Sequence, residues 1–211
     1  MKAFGEASLY TFVDTAYLHG RNPIAVTEQL CEGGSDVIQL RAKKETRSEV
    51  VRMAEAILPI TRAAQIPLVI NDYADVARET GAECVHLGQE DFFDAGLTHR
   101  SHFSPLTSHL GLSSHSPKQA ARAIAAGADY IAIGPVFATE TKPGRAPVTL
   151  ECVRWAAANV RIPWFAIGGI SLENLDAVLA AGARRICVVS AILNAPDIAQ
   201  ACRTFKKRLA I

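Results

Sequence analysis

Tyr130-Ile131-Ala132-Ile133-Gly134-Pro135-Val136-Phe137-Ala138-Thr139-Glu140-Thr141-Lys142 runs from a short apolar segment, through a Gly-Pro turn, to two threonine hydroxyls and an ammonium. Four apolar residues bounded by such punctuation read as a buried strand. Hydroxyls and a lysine just past its carboxyl end sit where a parallel α/β barrel keeps its chemistry. Taken alone, the segment would read as a polar surface loop, because loops are rich in such residues. Three further strand ends repeat the arrangement: Gln39-Leu40-Arg41-Ala42-Lys43, Asn71-Asp72 and Gly88-Gln89-Glu90-Asp91.

Working outward from this segment, apolar β-branched stretches alternate with longer stretches of helical period over the whole chain. The pattern predicts eight strands, at Leu9–Val13, Val37–Leu40, Leu68–Ile70, Cys84–Leu87, Leu110–Leu112, Tyr130–Ile133, Trp164–Ile167 and Ile186–Val189. Helices are predicted at Ile24–Glu32, Arg47–Gln65, Ala74–Thr80, Pro117–Ala126, Leu150–Asn159, Leu172–Ala181 and Asp197–Leu209, with the connection Phe92–His109 left irregular. Glycines at Gly33-Gly34, Gly81, Gly127 and Gly182 close four helices, as expected where the residue after a helix takes a positive φ. Ser116-Pro117 and Ser171 mark helix starts. Eight strand–helix units with right-handed crossovers close most naturally into a (β/α)8 TIM barrel, an α/β fold, and residues 1–211 read as a single domain. The competing architecture is an open doubly wound sheet.

Composition bounds the function. The chain has 211 residues, 49% of them hydrophobic, which is enough for one good core at the short end of barrel sizes. A formal net charge of +1 provides no global field toward nucleic acid or a membrane surface, so an anion site has to come from local donors. The five cysteines lie singly, without Cys-x-x-Cys spacing, which leads to an expectation of reduced, cytoplasmic residence. No apolar run approaches membrane-spanning length, and the amino-terminal residues lack an apolar signal core. Oligomeric state is not legible, and a homo-oligomer is allowed.

Alternation along a strand would point Gln39, Arg41 and Lys43 the same way if extended geometry persisted past the strand end. An amide, a guanidinium fork and a mobile ammonium on one face suit a polyphosphate, although a basic strand end lying in water is an equal reading of the local sequence. Asp72 and Asp91, from adjacent strand ends with Asn71 beside the first, offer the oxygen ligands that Mg2+ prefers. Asp72 alone would more simply be a helix cap. Gly168-Gly169 and Val189-Ser190 end the seventh and eighth strands, between which barrels of this kind often bind a phosphate through backbone N–H groups. His86 and His115 lie at strand ends. His99, His102 and His109 read as surface residues without metal-ligand spacing.

Together these blocks resemble the thiamine phosphate synthase family, from about Leu9 to the final helix. The matching segments are Gln39–Lys43, Asn71-Asp72, Val85–Asp91, Gly111–His115, Ala128–Lys142, Ala166–Ile170 and Val188–Ile192. The resemblance implies a barrel enzyme that condenses 4-amino-2-methyl-5-hydroxymethylpyrimidine diphosphate with thiazole phosphate, releasing pyrophosphate in a Mg2+-assisted dissociative displacement. It implies that Gln39 and His86 lie near the pyrimidine, and that Arg41, Lys43, Asn71, Ser113 and Lys142 hold the diphosphate and act in catalysis. It further implies that Asp72 and Asp91 ligate Mg2+, and that Thr139, Thr141, Gly169, Val189 and Ser190 hold the thiazole phosphate. The chain departs from the family pattern at Pro147-Val148-Thr149-Leu150, where a glycine is usual, and in the connection Phe92–His109. A second reading is the related thiazole tautomerase, with His115 as general base. A third is a non-catalytic regulator that binds thiazole or thiamine phosphate.

Overall fold

The computed structural model describes residues 4–103, 109–139, 144 and 146–210. Eight parallel strands close a barrel in sequence order: β1 (Leu9–Asp14), β2 (Val37–Arg41), β3 (Leu68–Asn71), β4 (Cys84–Leu87), β5 (His109–Ser114), β6 (Tyr130–Ile133), β7 (Trp164–Ile167) and β8 (Ile186–Cys187). The helices are α1 (Pro23–Glu32), α2 (Arg47–Ala63), α3 (Ala74–Thr80), α4 (Gln89–Phe93), α5 (Pro117–Ala125), α6 (Thr149–Asn159), α7 (Leu175–Ala180), α8 (Ser190–Leu193) and α9 (Ile198–Leu209). The closed barrel excludes the open sheet.

The helices begin and face inward for local reasons. Thr46 and Glu49 form a reciprocal capping box at the start of α2. Ser116 caps α5, accepting from the Gln119 N–H ahead of Pro117 at the first helical position. Along α2 the buried residues Val50, Ala54, Ile57, Leu58 and Thr61 recur at helical spacing, a stripe laid against the sheet. Burial of an Ile or Leu side chain contributes about 1.5–3 kcal/mol.

Differences from the sequence reading have physical causes. The eighth strand ends at Cys187, because the following residues turn into the single-turn helix α8. The helix expected from Leu172 starts at Leu175: the Ser171 N–H donates to Asn174 Oδ1, a local turn that holds the chain out of the helix. The irregular connection contains a 3-10 turn, Arg100–Phe103, and residues 104–108 lie outside the described ones.

Two features fix the barrel's ends. At the amino-terminal end Phe4 stacks on Tyr130 at 4.4 Å, and Tyr10, Tyr130 and Phe165 fill the interior above it edge to face. This plug leaves the carboxyl-terminal end open. At the seam β1 meets β8 through only two residue pairs, Leu9 with Ile186 and Tyr10 with Cys187. Beside the seam, the buried Asp36 carboxylate accepts from the Ser8 and Leu9 N–H groups and from Lys206 Nζ of α9, at 2.9, 3.0 and 2.6 Å.

Candidate active site

Above the aromatic plug lies a cavity of about 840 Å³, its open mouth included. Phe12, Ala132, Ile167, Ile170 and Cys187 give it apolar walls, and polar groups converge from the strand ends.

From β2 to β5 those groups are side chains. Gln39 and Arg41, two apart on β2, both face the cavity, as strand alternation requires. Arg41 is held by the buried carboxylate of Asp14, opposite it in register at the end of β1, at 2.7 Å. Asp14 also accepts from the Ala16 N–H. Lys43 departs from the expected alternation. The strand ends at Arg41, so Lys43 turns to the rim, pairs with Asp72 and does not line the cavity. Asn71, His86 and Ser113 follow around the wall. His86 Nε2 lies 3.0 Å from Ser113 Oγ, and Gln89 Nε2 donates to the Ser113 carbonyl at 2.6 Å, tying α4 to β5.

Asp72 is not a helix cap. Tyr73 occupies that position of α3 without a side-chain cap bond. Asp72 sits in a left-handed conformation, φ +68°, and its N–H donates to the His86 carbonyl at 2.9 Å. Asp91, in the first turn of α4, is exposed and lies close over Gly88. The two carboxylates thus flank the end of β4. This oxygen-only donor set fits Mg2+, which takes one or two carboxylates and completes its shell with water and substrate phosphate. Among the described residues no group of three or more His, Cys, Asp or Glu that could hold a metal gathers, here or elsewhere, so the site offers two carboxylates only.

From β6 to β8 the polar groups that close the wall are mainly backbone, set among apolar side chains. The Val136 and Phe137 N–H groups donate to the Ile167 and Gly168 carbonyls at 2.8 and 3.0 Å, so the loops after β6 and β7 are joined. That approach requires glycine. A Cβ on Gly168 (φ +101°) would run into Pro135, and one on Gly169 (φ +65°) would fall 2.7 Å from the Ala138 carbonyl oxygen. Asn174 Nδ2 donates to the Gly169 carbonyl at 2.8 Å. Val189 and Ser190 lead into α8 and line the cavity with Gly169 and Thr139. The first N–H groups of a helical turn lack intrahelical acceptors and favour anions. His115 also faces the cavity and gives Nδ1 to the Gly134 carbonyl, bracing the β6 loop. Thr141 and Lys142 lie outside the described residues.

The sequence reading missed Asp14, Tyr10, Tyr130 and Gln89. Asp14 carried a readable signal, a carboxylate ending an apolar run. The hydroxyls of Tyr10 and Tyr130 carried none, since each looks like a core aromatic until the barrel closes around it. Burial pushes both phenols well above their ordinary pKa and does the same to the Cys187 thiol on the cavity wall.

Comparison with known proteins bears on this geometry. The family model described as thiamine monophosphate synthase matches residues 9–192. A thiamine-phosphate synthase of Thermus thermophilus is 47% identical over 184 residues, covering 87% of each chain. One of Acidothermus cellulolyticus is 42% identical over 213 residues, covering 100% of this chain and 99% of its own. Among solved structures, a thiamine phosphate pyrophosphorylase from Pyrococcus furiosus superposes with a TM-score of 0.86 at 28% identity, covering 99% of this chain and 98% of its own.

Proposed function

The chain belongs to the thiamine monophosphate synthase family, and from that premise we propose how its cavity performs thiamine phosphate synthesis. A hydroxymethylpyrimidine diphosphate loses pyrophosphate, and the thiazole nitrogen of a thiazole phosphate bonds to the exposed methylene carbon, giving thiamine phosphate. The observation that supports this reading is one cavity with two kinds of wall, polar side chains from β2 to β5 (Arg41, Asn71 and Ser113, with Lys43 at the rim) and closely joined glycine backbone from β6 to β8.

Arg41, Lys43, Asn71 and Ser113 hold the diphosphate, with Lys142 joining them, and they act where negative charge grows as the carbon–oxygen bond breaks. Asp14 keeps the Arg41 guanidinium aimed at the cavity. Gln39 and His86 lie against the pyrimidine, whose amino-substituted ring stabilises the methylene cation. Thr139, Gly169, Val189 and Ser190 hold the thiazole phosphate, with Thr141, so that the ring nitrogen faces that cation. The apolar wall of Phe12, Ile167 and Ile170 keeps water from capturing it first. Asp72 and Asp91 are the carboxylates that would hold Mg2+, and the bound cation supplies charge neutralisation for the departing pyrophosphate. The substrates are small molecules, and among the described residues no helix is long and apolar enough to cross a membrane.

The test is pyrophosphate release from the purified protein with both substrates and Mg2+. Release that requires both supports the synthase. Interconversion of thiazole isomers without the diphosphate would give the tautomerase instead, and binding without turnover the regulator. The structure favours neither alternative: His115 braces the Gly134 carbonyl, and the diphosphate wall would have no use in an isomerase.

A further inference from the structure

Five side chains at the cavity floor, Gln39, Tyr10, Tyr130, His86 and Ser113, form a continuous hydrogen-bonded chain whose two ends, Gln39 and Ser113, face the cavity. Gln39 Nε2 donates to Tyr10 Oη at 2.7 Å, and Tyr10 Oη lies 3.0 Å from Tyr130 Oη. Tyr130 Oη lies 3.2 Å from His86 Nδ1, and His86 Nε2 lies 3.0 Å from Ser113 Oγ. Each phenol has one proton to give, because burial keeps both protonated. Tyr10 already accepts from an amide N–H that can only donate, so its own proton goes to Tyr130. Tyr130 then directs its proton to His86 Nδ1. A ring nitrogen that accepts carries no proton, so the imidazole proton lies on Nε2 and is donated to Ser113 Oγ.

The fold makes room for this chain. Gly111 on β5 has no positive φ, so conformation does not demand glycine there. A Cβ at that position would run into the Tyr130 phenol and fall 2.6 Å from His86 Nδ1, in the space where the two groups meet. The phenols are also clamped, Tyr130 between Phe4 and Phe165 and Tyr10 against Phe12 and Phe165.

We propose that Tyr10 and Tyr130 are positioning residues that lock His86 as its Nε2–H tautomer, so that Ser113 accepts from His86 and turns its own hydroxyl proton into the cavity as a donor. The opposite tautomer would make Ser113 donate to His86 and present lone pairs to an incoming anion. The consequence for turnover rests on the proposed synthase reading, in which Ser113 meets the diphosphate. The tautomer itself does not depend on that reading.

Nitrogen-15 NMR of ligand-free protein at neutral pH tests the first half, with the His86 ring signals identified by their loss in His86→Gln. Long-range proton–nitrogen correlations are expected to show Nδ1 unprotonated and Nε2 protonated; a wild-type ring protonated on Nδ1 overturns the proposal. In Tyr130→Phe and Gly111→Ala the Nδ1 signal is expected to lose its single-tautomer pattern. Turnover should fall about fivefold to tenfold in Tyr130→Phe, as when one hydrogen bond is lost, while the KM for thiazole phosphate stays unchanged. Reduced turnover with an unaltered His86 tautomer in Tyr130→Phe would assign Tyr130 a packing role only and overturn the proposal. A wild-type protein with the expected tautomer but no pyrophosphate release would sink the synthase reading and leave the tautomer lock standing.

Discussion

Between β2 and β5 the mouth of the barrel presents polar and charged side chains, whereas between β6 and β8 it presents loops joined through their backbone. In the first arc Arg41, Asn71 and Ser113 stand at strand ends with Lys43 just beyond one, and several are held by neighbouring groups: Arg41 by Asp14, Lys43 by Asp72, Ser113 by His86. In the second arc the loops after β6 and β7 are bonded to each other, with glycine at the points of closest approach. Cationic side chains bring full charges to a leaving group whose charge changes during reaction. A backbone cradle suits a phosphate that does not react. The two arcs should therefore fail differently, the first through turnover and the second through binding.

If Asp72 and Asp91 hold Mg2+ as proposed, chelation is the harshest test of the first arc. Chelation with EDTA is expected to abolish pyrophosphate release, and added Mg2+ to restore it; full activity in the chelated enzyme would remove Asp72 and Asp91 from the mechanism. Next come Lys43→Ala and Asn71→Ala, each expected to lower turnover by about two to three orders of magnitude, the usual cost of losing a preorganised donor at a developing charge. Circular dichroism should show an intact barrel, because Lys43 is exposed at the rim and Asn71 ends β3 on the cavity wall. Unchanged turnover in both variants would erase the contrast between the arcs.

Gly169→Val addresses the second arc. The added side chain meets the Ala138 carbonyl and the Phe137 side chain at a backbone angle that valine resists, so the KM for thiazole phosphate is expected to rise at least tenfold (on the order of 1.4 kcal/mol). The KM for the pyrimidine diphosphate should stay put, and a rise in that constant alone would show that the cavity is not divided as described. The smallest effect is expected for His115→Ala. Loss of its bond to the Gly134 carbonyl loosens the β6 loop but leaves the side chains from β2 to β5 in place, so turnover should fall by less than about tenfold. A dead His115→Ala enzyme beside a nearly normal Lys43→Ala enzyme would return the tautomerase to consideration.

The same contrast explains what the sequence could and could not reveal. All eight strands were legible because burial on both faces writes them as apolar runs, and Gly34, Gly81, Gly127 and Gly182 take the positive φ expected after the helices. Arg41 and Asn71 were legible as polar residues ending apolar runs, although for Arg41 a basic strand end in water was an equal reading, and Ser113 came only with the family resemblance; all three line the cavity. Lys43 was placed on the wrong side, since strand alternation was carried two residues past the point where extended geometry stops. The Tyr10–Tyr130 pair was invisible. Its bond joins residues on β1 and β6, and only a closed barrel brings them within 3.0 Å.

The narrow seam between β1 and β8 sets an order of events for a chain that has yet to fold. Strands β1 to β7 pair with sequence neighbours, but β1 and β8 meet across nearly the whole chain, so closure carries the largest loop entropy for a ladder of only two residue pairs. Until then β1 is an open sheet edge, able to pair with the wrong partner. The Lys206–Asp36 contact draws α9 against β1 and β2, so a helix synthesised after β8 acts as the latch that guards the edge. Weakening that latch should show itself in refolding yield at high protein concentration before it shows in catalysis.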